Sequence, residues 1–139
     1  IPYDVFLNYQ SRLPDVWRKR AEHFYSENDR VKKGIREWEK GDLDSFGKYC
    51  FQSGQSSIDK WETGSPELIR LFEILRKTPG VYGGRFSGAG FKGCCMALVD
   101  PDYAESVQYE VKKQYLSTFP NLSCRYSSHV CFLGNGVAL

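Results

Sequence analysis

Apolar residues recur at helical spacing through the first part of the chain. Leu13-Pro14-Asp15 marks a helix start, with proline near the first turn, and Gly41 marks its end. The apolar positions between these signals lie mostly three or four residues apart, which predicts a long helix with one buried face. They are Val16, Trp17, Ala21, Phe24, Val31, Ile35 and Trp38.

Two further helices have clear start signals. Asp42 is a suitable N-cap for a second helix, which we expect to reach residues 54–57, where glycine and serines weaken it. Its inward-facing side chains are predicted to be Leu43, Phe46, Tyr49 and Cys50. Ser65-Pro66-Glu67 combines a serine cap, a proline at the first helical position and an acidic residue in the first turn. Thr78-Pro79-Gly80 ends this third helix, whose apolar residues are Leu68, Ile69, Leu71, Phe72, Ile74 and Leu75.

The pattern changes after residue 80 to short extended segments. Residues 81–86 and 94–99 predict two consecutive strands, because the second run is too short for a helix and stops at Asp100-Pro101. A fourth helix is expected from Asp100-Pro101-Asp102 to about Thr118. One face of it carries Ala104, Val107, Val111 and Tyr115.

A last strand is predicted at residues 129–133, followed by a turn at Gly134-Asn135-Gly136. Three helices followed by the order β-β-α-β predict an α+β fold. In such a fold the helices pack on one face of an antiparallel sheet.

The composition describes one globular domain. A chain of 139 residues can bury a core, and 41% hydrophobic with 15% aromatic residues exclude disorder. A net charge of +2, from 19 basic and 17 acidic residues, gives no strong field for nucleic acid or an anionic membrane. No apolar run approaches the length of a membrane span, so we expect no transmembrane helix and no signal peptide.

The cysteines and histidines suggest no metal site. Five cysteines form an odd set without C-x-x-C spacing, so we expect buried, reduced thiols in a cytoplasmic protein. Cys94 and Cys95 are adjacent and would point to opposite faces of a strand. His23 and His129 are too few and too isolated to support a zinc site.

The sequence GGRFSGAGFKGCC, residues 83–95, is the main candidate for a binding site. Glycine reaches positive φ without strain and leaves the backbone accessible. A dense glycine loop therefore suggests a ligand met by successive N–H groups, most often a phosphate. A glycine-rich hairpin that serves close packing alone is the alternative.

Three better-known glycine loops do not fit. Residues 88–93 satisfy G-x-G-x-x-G, but a dinucleotide site needs a helix after the last glycine, and a strand is predicted there. A Walker A loop would need Lys-Ser or Lys-Thr after its final glycine, and Gly93 is followed by Cys94. A protein-kinase loop would need a later VAIK-like lysine, HRD and DFG, and this sequence lacks all three motifs.

Several motifs together resemble the GHMP small-molecule kinases, and within them the galactokinase-like sugar kinases. Gly80-Val81-Tyr82-Gly83 and the loop that follows resemble the third family motif. Upstream, Arg20-Ala21-Glu22-His23 with Glu27 resembles the RAxH helix of galactokinases. Further matching stretches are Gly41-Asp42 with Phe46-Gly47, Ser56-Ser57, and Glu62 through Pro66-Glu67-Leu68, so the resemblance runs from Arg20 to Val99.

The residues at these motif positions are most similar to those of the plant galacturonokinases. The details are RAEH, Ser53-Gly54 with Ser56-Ser57-Ile58, and the loop RFSGAGFKGCC. Galactokinases tend to have Met-Thr-Gly-Gly-Gly-Phe-Gly-Gly in that loop. This chain departs at Phe86, Ser87, Ala89 and Lys92, and it lacks the histidine and second acid of the upstream stretch. These departures make galactose a poor candidate substrate.

The resemblance implies a single C-terminal domain with an architecture similar to the ferredoxin-like half of the family. A helical segment would span about residues 13–77, and the α+β part with the glycine loop about residues 80–139. The family's nucleotide-phosphate loop, catalytic aspartate and substrate arginine belong to an N-terminal domain that has no counterpart here. The chain would thus be part of a considerably longer kinase, would contain no catalytic residue, and would be inactive alone.

The implied reaction is ATP-dependent phosphorylation of the anomeric C1 hydroxyl of a monosaccharide, with galacturonic acid favoured over galactose, arabinose or glucuronate. ATP and Mg²⁺ are implied as cofactors, bound mainly by the N-terminal domain, and no nucleic acid or membrane is expected as a partner. A non-catalytic sugar- or nucleotide-binding regulatory domain, or a purely structural one, would keep the same loop.

The resemblance also implies a loop that binds the substrate or its phosphates. Lys92 would supply a cation to the transferred phosphate or to a uronate carboxylate, and a solvated loop lysine is the alternative. The loop residues expected at the site are Arg85, Ser87, Gly88, Ala89, Gly90, Phe91, Lys92 and Gly93.

Overall fold

The computed structural model describes residues 1–132 and 134. These residues form helices α1 (Tyr3–Tyr9), α2 (Asp15–Lys40), α3 (Leu43–Asp59), α4 (Pro66–Lys77) and α5 (Ala104–Thr118), and strands β1 (Val81–Phe86) and β2 (Cys95–Val99). Short 3₁₀ turns lie at Gln10–Arg12, Pro101–Tyr103 and Pro120–Leu122. A helical segment precedes an antiparallel strand pair with helices packed against it, which confirms the predicted α+β fold. None of the helices described between residues 1 and 132 has the length and hydropathy to cross a bilayer.

The predicted capping residues set three helix boundaries. Gly41 has a left-handed φ of 75°, and its N–H bonds the carbonyls of Glu37 and Trp38, which ends α2. The Asp42 carboxylate accepts a hydrogen bond from the Ser45 N–H at 2.9 Å and begins α3. The Ser65 hydroxyl accepts from the N–H of Leu68 and begins α4.

Strands β1 and β2 pair antiparallel and carry the glycine loop between them. Phe86 is opposite Cys95 where the loop begins and ends, and Val81 is opposite Val99 at the other end. The register shifts between Val81 and Gly83, which indicates a bulge at Tyr82. The loop therefore has a fixed base formed by the last pair of the ladder.

Two apolar clusters pack α4 against its neighbours. In the first, α4 packs on α5 through buried residues that include the predicted face of α5: Ile74, Leu75, Val107, Val111 and Tyr115. In the second, Leu68, Phe72 and Phe86 join α4 to β1. Phe72 and Phe86 are each only 1% exposed, and their rings meet edge to face. The second cluster thus anchors the strand from which the loop departs.

The buried face of α3 consists of small residues. Its fully buried positions are Gly47, Ser53, Gly54, Ser56 and Ser57. A Cβ added at Gly54 would lie 2.5 Å from the Phe72 ring, so the absence of a side chain lets this ring pack on the helix. The glycine and serines expected to weaken the end of α3 are therefore its contact surface, and the helix continues to Asp59.

The predicted buried stripe of α2 is wrong for this chain. Trp17, Phe24 and Val31 are 65%, 61% and 59% exposed, and Val16, Ile35 and Trp38 are also open to solvent. The spacing predicted the helix correctly. The side of α2 that faces α3, however, carries Gly34, which packs on Phe46, together with polar residues.

Two other elements differ from expectation. Residues 129–132 form no strand, because their side chains are exposed and no described strand lies beside them. Leu133, and Asn135 and Gly136 of the predicted turn, lie outside the described residues. Helix α1 was not predicted, because its support is tertiary: Phe6 is buried against the rings of Tyr3 and Tyr25.

Candidate functional site

The glycine-rich loop runs directly from β1 to β2 and lies at the surface. The Ser87 N–H donates to the Cys94 carbonyl at 2.9 Å and closes the base of the loop. Ser87, Gly88 and Ala89 are exposed, as are residues 91–94. Since a strand follows the last glycine, the arrangement of a dinucleotide-binding helix is excluded.

The three central glycines have different roles. Gly88, Gly90 and Gly93 have φ values of 69°, 74° and 109°, which L side chains rarely adopt. A Cβ on Gly88 or Gly93 would meet nothing within 4 Å. A Cβ on Gly90 would lie 2.7 Å from the Phe86 ring, and the Gly90 carbonyl accepts from the Ser65 N–H at 2.7 Å. Gly90 therefore fastens the loop to its own domain, whereas Gly88 and Gly93 leave the outer side of the loop open.

The open side of the loop presents hydrogen-bond donors. Within residues 1–132, the N–H groups of residues 88, 89 and 91–93 donate to no backbone carbonyl. The side chains of Phe91 and Lys92 are exposed on the same loop. N–H groups and an ammonium suit an anion such as phosphate or carboxylate.

The loop offers no ligand set for a magnesium ion. Mg²⁺ prefers oxygen ligands, mainly carboxylates, phosphates and water. The described part of the chain contains no group of three His, Cys, Asp or Glu side chains that could hold a metal ion. The donors present fit the phosphate oxygens of a nucleotide, and not its metal.

Arg85 faces the helices rather than the open side of the loop. Its Nη1 donates to the Ser53 hydroxyl at 2.6 Å and lies 3.7 Å from Glu27 Oε2. The Ser53 hydroxyl in turn donates to Glu27 Oε2 at 2.6 Å. We call Arg85, Ser53 and Glu27 the anchor cluster, because it connects the end of β1 to α3 and α2.

Two neighbours complete the surroundings of the anchor cluster. Arg30 Nε donates to Glu27 Oε1 at 2.7 Å, so this carboxylate bridges two guanidinium groups. His23 Nδ1 lies 2.9 Å from the Ser56 hydroxyl, and burial is the main cause that lowers the His23 pKa. Sequence reasoning recognised Glu27 and Ser53 only as motif residues. No local spacing could join them to Arg85, because the three lie on different elements.

The cysteine pair behind the loop is divided between solvent and core. Cys94 is exposed, whereas Cys95 points inward and its thiol donates to the Leu68 carbonyl at 3.7 Å. Burial raises the pKa of Cys95 to about 12 and also raises that of Cys50. The predicted opposite orientation of the pair is confirmed. The predicted burial is wrong for Cys94, Cys124 and Cys131, which are exposed.

Comparisons with known proteins agree with this geometry. The sequence model described as GHMP kinases C terminal matches residues 31–117. The chain is 47% identical to the galacturonokinase of Arabidopsis thaliana over 123 residues, which cover 88% of this chain and 29% of that protein. It is 31% identical to the galactokinase of Roseiflexus sp. (strain RS-1) over 134 residues, 96% of this chain and 34% of that protein.

A solved structure gives the same result for the fold. The crystal structure of Lactococcus lactis galactokinase complexed with galactose matches with a TM-score of 0.79 at 31% identity, covering 86% of this chain and 31% of that one. This chain thus spans about a third of the length of the relatives it matches. Since the family model covers more than half of its residues, the chain belongs to the GHMP kinase family, with the fold of that family's C-terminal domain.

Proposed function

We propose that this domain is the C-terminal part of an ATP-dependent kinase that phosphorylates the anomeric C1 hydroxyl of a monosaccharide. The observation that carries the proposal is the surface loop of residues 87–93, whose base is closed by the bond from Ser87 to Cys94 and whose N–H groups at residues 88, 89 and 91–93 donate to no backbone carbonyl within residues 1–132. Galacturonic acid is the favoured sugar, because identity to the galacturonokinase is 47%, against 31% to the Roseiflexus galactokinase.

In this proposal the chain positions and stabilises phosphate. Phosphoryl transfer depends mostly on positioning and charge stabilisation, and ATP with Mg²⁺ supplies the phosphoryl group and neutralises its charge. The outward N–H groups of the loop donate to phosphate oxygens, and Gly88 and Gly93 allow the backbone to approach them. Donors held in place before the reaction can contribute a few kcal/mol to a transition state. ATP and the sugar lie between this domain and the remainder of the kinase.

Lys92 is the residue we assign to charge recognition. It is exposed at the tip of the loop, where galactokinases tend to have glycine, and it would attract either the transferred phosphate or the uronate carboxylate. In the complete kinase, Lys92→Ala should lower kcat/KM for galacturonate more than for galactose. Lys113→Ala is the matched control, since this lysine is exposed on α5 and pairs with Glu110. An unchanged ratio with a lower kcat for both sugars would assign Lys92 to the transferred phosphate, and an unchanged ratio with an unchanged kcat would exclude both roles.

A substrate panel tests the function itself. The complete kinase would be incubated with ATP, Mg²⁺ and galacturonate, glucuronate, galactose or arabinose, and sugar 1-phosphate would be quantified. We expect turnover with the highest kcat/KM for galacturonate. A higher kcat/KM for another sugar would show that galacturonate is not the preferred substrate. Binding of sugar or nucleotide without turnover of any of them would instead support a non-catalytic regulatory domain.

A further inference from the structure

The largest feature that the proposed function leaves unused is the exposed apolar stripe of α2. It consists of Trp17, Ala21, Phe24, Val31, Ile35 and Trp38, and its larger members are between 43% and 65% exposed. Isolated exposed apolar residues are normal, but a continuous stripe marks an interaction surface. With a rise of 1.5 Å per residue, residues 17–38 extend over about 32 Å of one helix face.

Two other sides of α2 are already occupied within the chain. On one side, Gly34 packs on Phe46 and His23 meets Ser56, both of α3. On another side, Tyr25 packs on Phe6 of α1. The stripe lies between these two contacts. Among the described residues, Trp17, Phe24, Val31 and Ile35 are more than half exposed, whereas Trp38, at the end of the stripe, also packs edge to face on Phe46 of α3.

The spacing of the stripe fits a helix as its partner. Its positions alternate by four and three residues from Trp17 to Trp38, with Asn28 at the centre of the series. This is the 3.5-residue repeat by which two helices pack side chains into each other's gaps. A polar residue at one such position sets the register of the pair.

We infer that an amphipathic helix from the part of the kinase polypeptide outside this chain packs along the α2 stripe. This inference rests on the proposed function, in which the domain belongs to a longer kinase. The matched relatives are about three times as long as the aligned region, so a partner in the same polypeptide has ample length to come from. The C-terminal family model begins at Val31, within α2, so it covers Val31, Ile35 and Trp38 of the stripe and not Trp17 or Phe24.

Thiol labelling tests whether the stripe is covered. Ile35→Cys places a thiol on the stripe, and Arg36→Cys places one on the next residue, which is also exposed but points about 100° away around the helix. Labelling by a maleimide would be followed by mass mapping, so that the native cysteines are counted separately. Each variant would be measured in the 139-residue chain and in the complete kinase. Phe24→Cys provides a second position on the stripe if Ile35→Cys fails to fold.

We expect the thiol at position 35 to react at least about tenfold more slowly in the complete kinase than in the chain alone, because packed sites react only through local opening. The labelling rate of the thiol at position 36 should differ by less than about twofold between the two proteins, because that position needs no local opening to react. Equal rates at position 35 in both proteins would overturn the inference. Protection of position 35 in the chain alone, with dimers seen by light scattering, would also overturn it in favour of a second copy.

The same samples separate this inference from the proposed function. Protection at position 35 in a complete protein that phosphorylates none of the sugars would refute the kinase assignment and leave the packing of α2 intact. Sugar phosphorylation with an unprotected position 35 would support the kinase assignment and refute the packing of a helix on α2.

Discussion

At the scale of single residues, the approach of α3 to β1 depends on two glycines. A Cβ on Gly47 would overlap the Tyr82 carbonyl, and a Cβ on Gly83 would overlap the backbone of Gly47. Both neighbours are main-chain atoms, which cannot move aside as a flexible side chain can. The glycine in the middle of α3 is therefore retained by packing, although glycine weakens a helix by roughly 0.5–1 kcal/mol relative to alanine.

Gly47→Ala should destabilise the domain strongly. We expect a loss of at least about 2 kcal/mol in the free energy of unfolding, because α3 must move away from β1. Urea denaturation followed by circular dichroism measures this change. Gly34→Ala is the matched control in α2, where the new Cβ would lie 3.6 Å from Phe46 in ordinary contact. The control should stabilise by about 0.4–1 kcal/mol, and similar losses in both variants would contradict the close approach at Gly47.

The adjacent cysteines provide a second prediction at this scale. The thiolate is the reactive form, and burial raises the Cys95 pKa to about 12, so Cys95 stays protonated at pH 8. Cys94 is exposed and directly accessible to reagents. Brief treatment with iodoacetamide at pH 8 should therefore modify Cys94 and spare Cys95, as read by tandem mass spectrometry. The same treatment in urea should modify both. Equal labelling of the native pair would contradict the inward orientation of Cys95.

At the scale of elements, the anchor cluster holds the end of β1 to α2 and α3. Ser53 is the link, because its hydroxyl accepts from Arg85 and donates to Glu27. The loop begins at the residue after Phe86, so the position of its base depends on this connection and on the Phe86 packing. The guanidinium of Arg85 contacts Ser53 of α3 and Glu27 of α2.

Ser53→Ala should loosen the loop without unfolding the domain. We expect the Ser87 N–H, which closes the loop base, to exchange with deuterium roughly fivefold faster, equivalent to about 1 kcal/mol. Ser57→Ala is the control, since that buried hydroxyl bonds only the Ser53 carbonyl of its own helix. NMR measures the amide exchange rate of Ser87 in both variants. No difference between them at Ser87 would show that the anchor cluster does not support the loop.

The elements also show where sequence reasoning was sufficient. Gly41, Asp42 and Ser65 act on their own helix ends, so local sequence predicted those boundaries. The exposure of the α2 stripe could not be predicted, because apolar spacing identifies a helix face but not what covers it. The anchor cluster was equally inaccessible, since Glu27, Ser53 and Arg85 meet only when three elements pack together. The loop itself was found because its glycines are adjacent in the chain.

At the scale of the whole molecule, the loop lies at the surface of the described part of the domain. One cavity, of about 690 Å³, lies between α1 and α2 and is lined by residues such as Phe6 and Tyr25. A second, of about 400 Å³, lies beside α3 and Arg76. Neither of these two cavities is lined by loop residues, and Ser87, Gly88, Ala89 and residues 91–94 are exposed in the described part of the chain.

This geometry predicts weak nucleotide binding by the 139-residue chain alone. A nucleotide held only by the loop would keep most of its surface in water. The free energy gained from exposed phosphate contacts is small, and it does not outweigh the entropy that the nucleotide loses on binding. We expect no sugar phosphorylation and a Kd for MgATP weaker than about 100 μM by calorimetry. Lys92→Ala should weaken that binding further, whereas Lys113→Ala should not. A sub-micromolar Kd for the chain alone would mean that the domain holds a nucleotide by itself, and the proposal that the loop works against the remainder of a longer kinase would then fail.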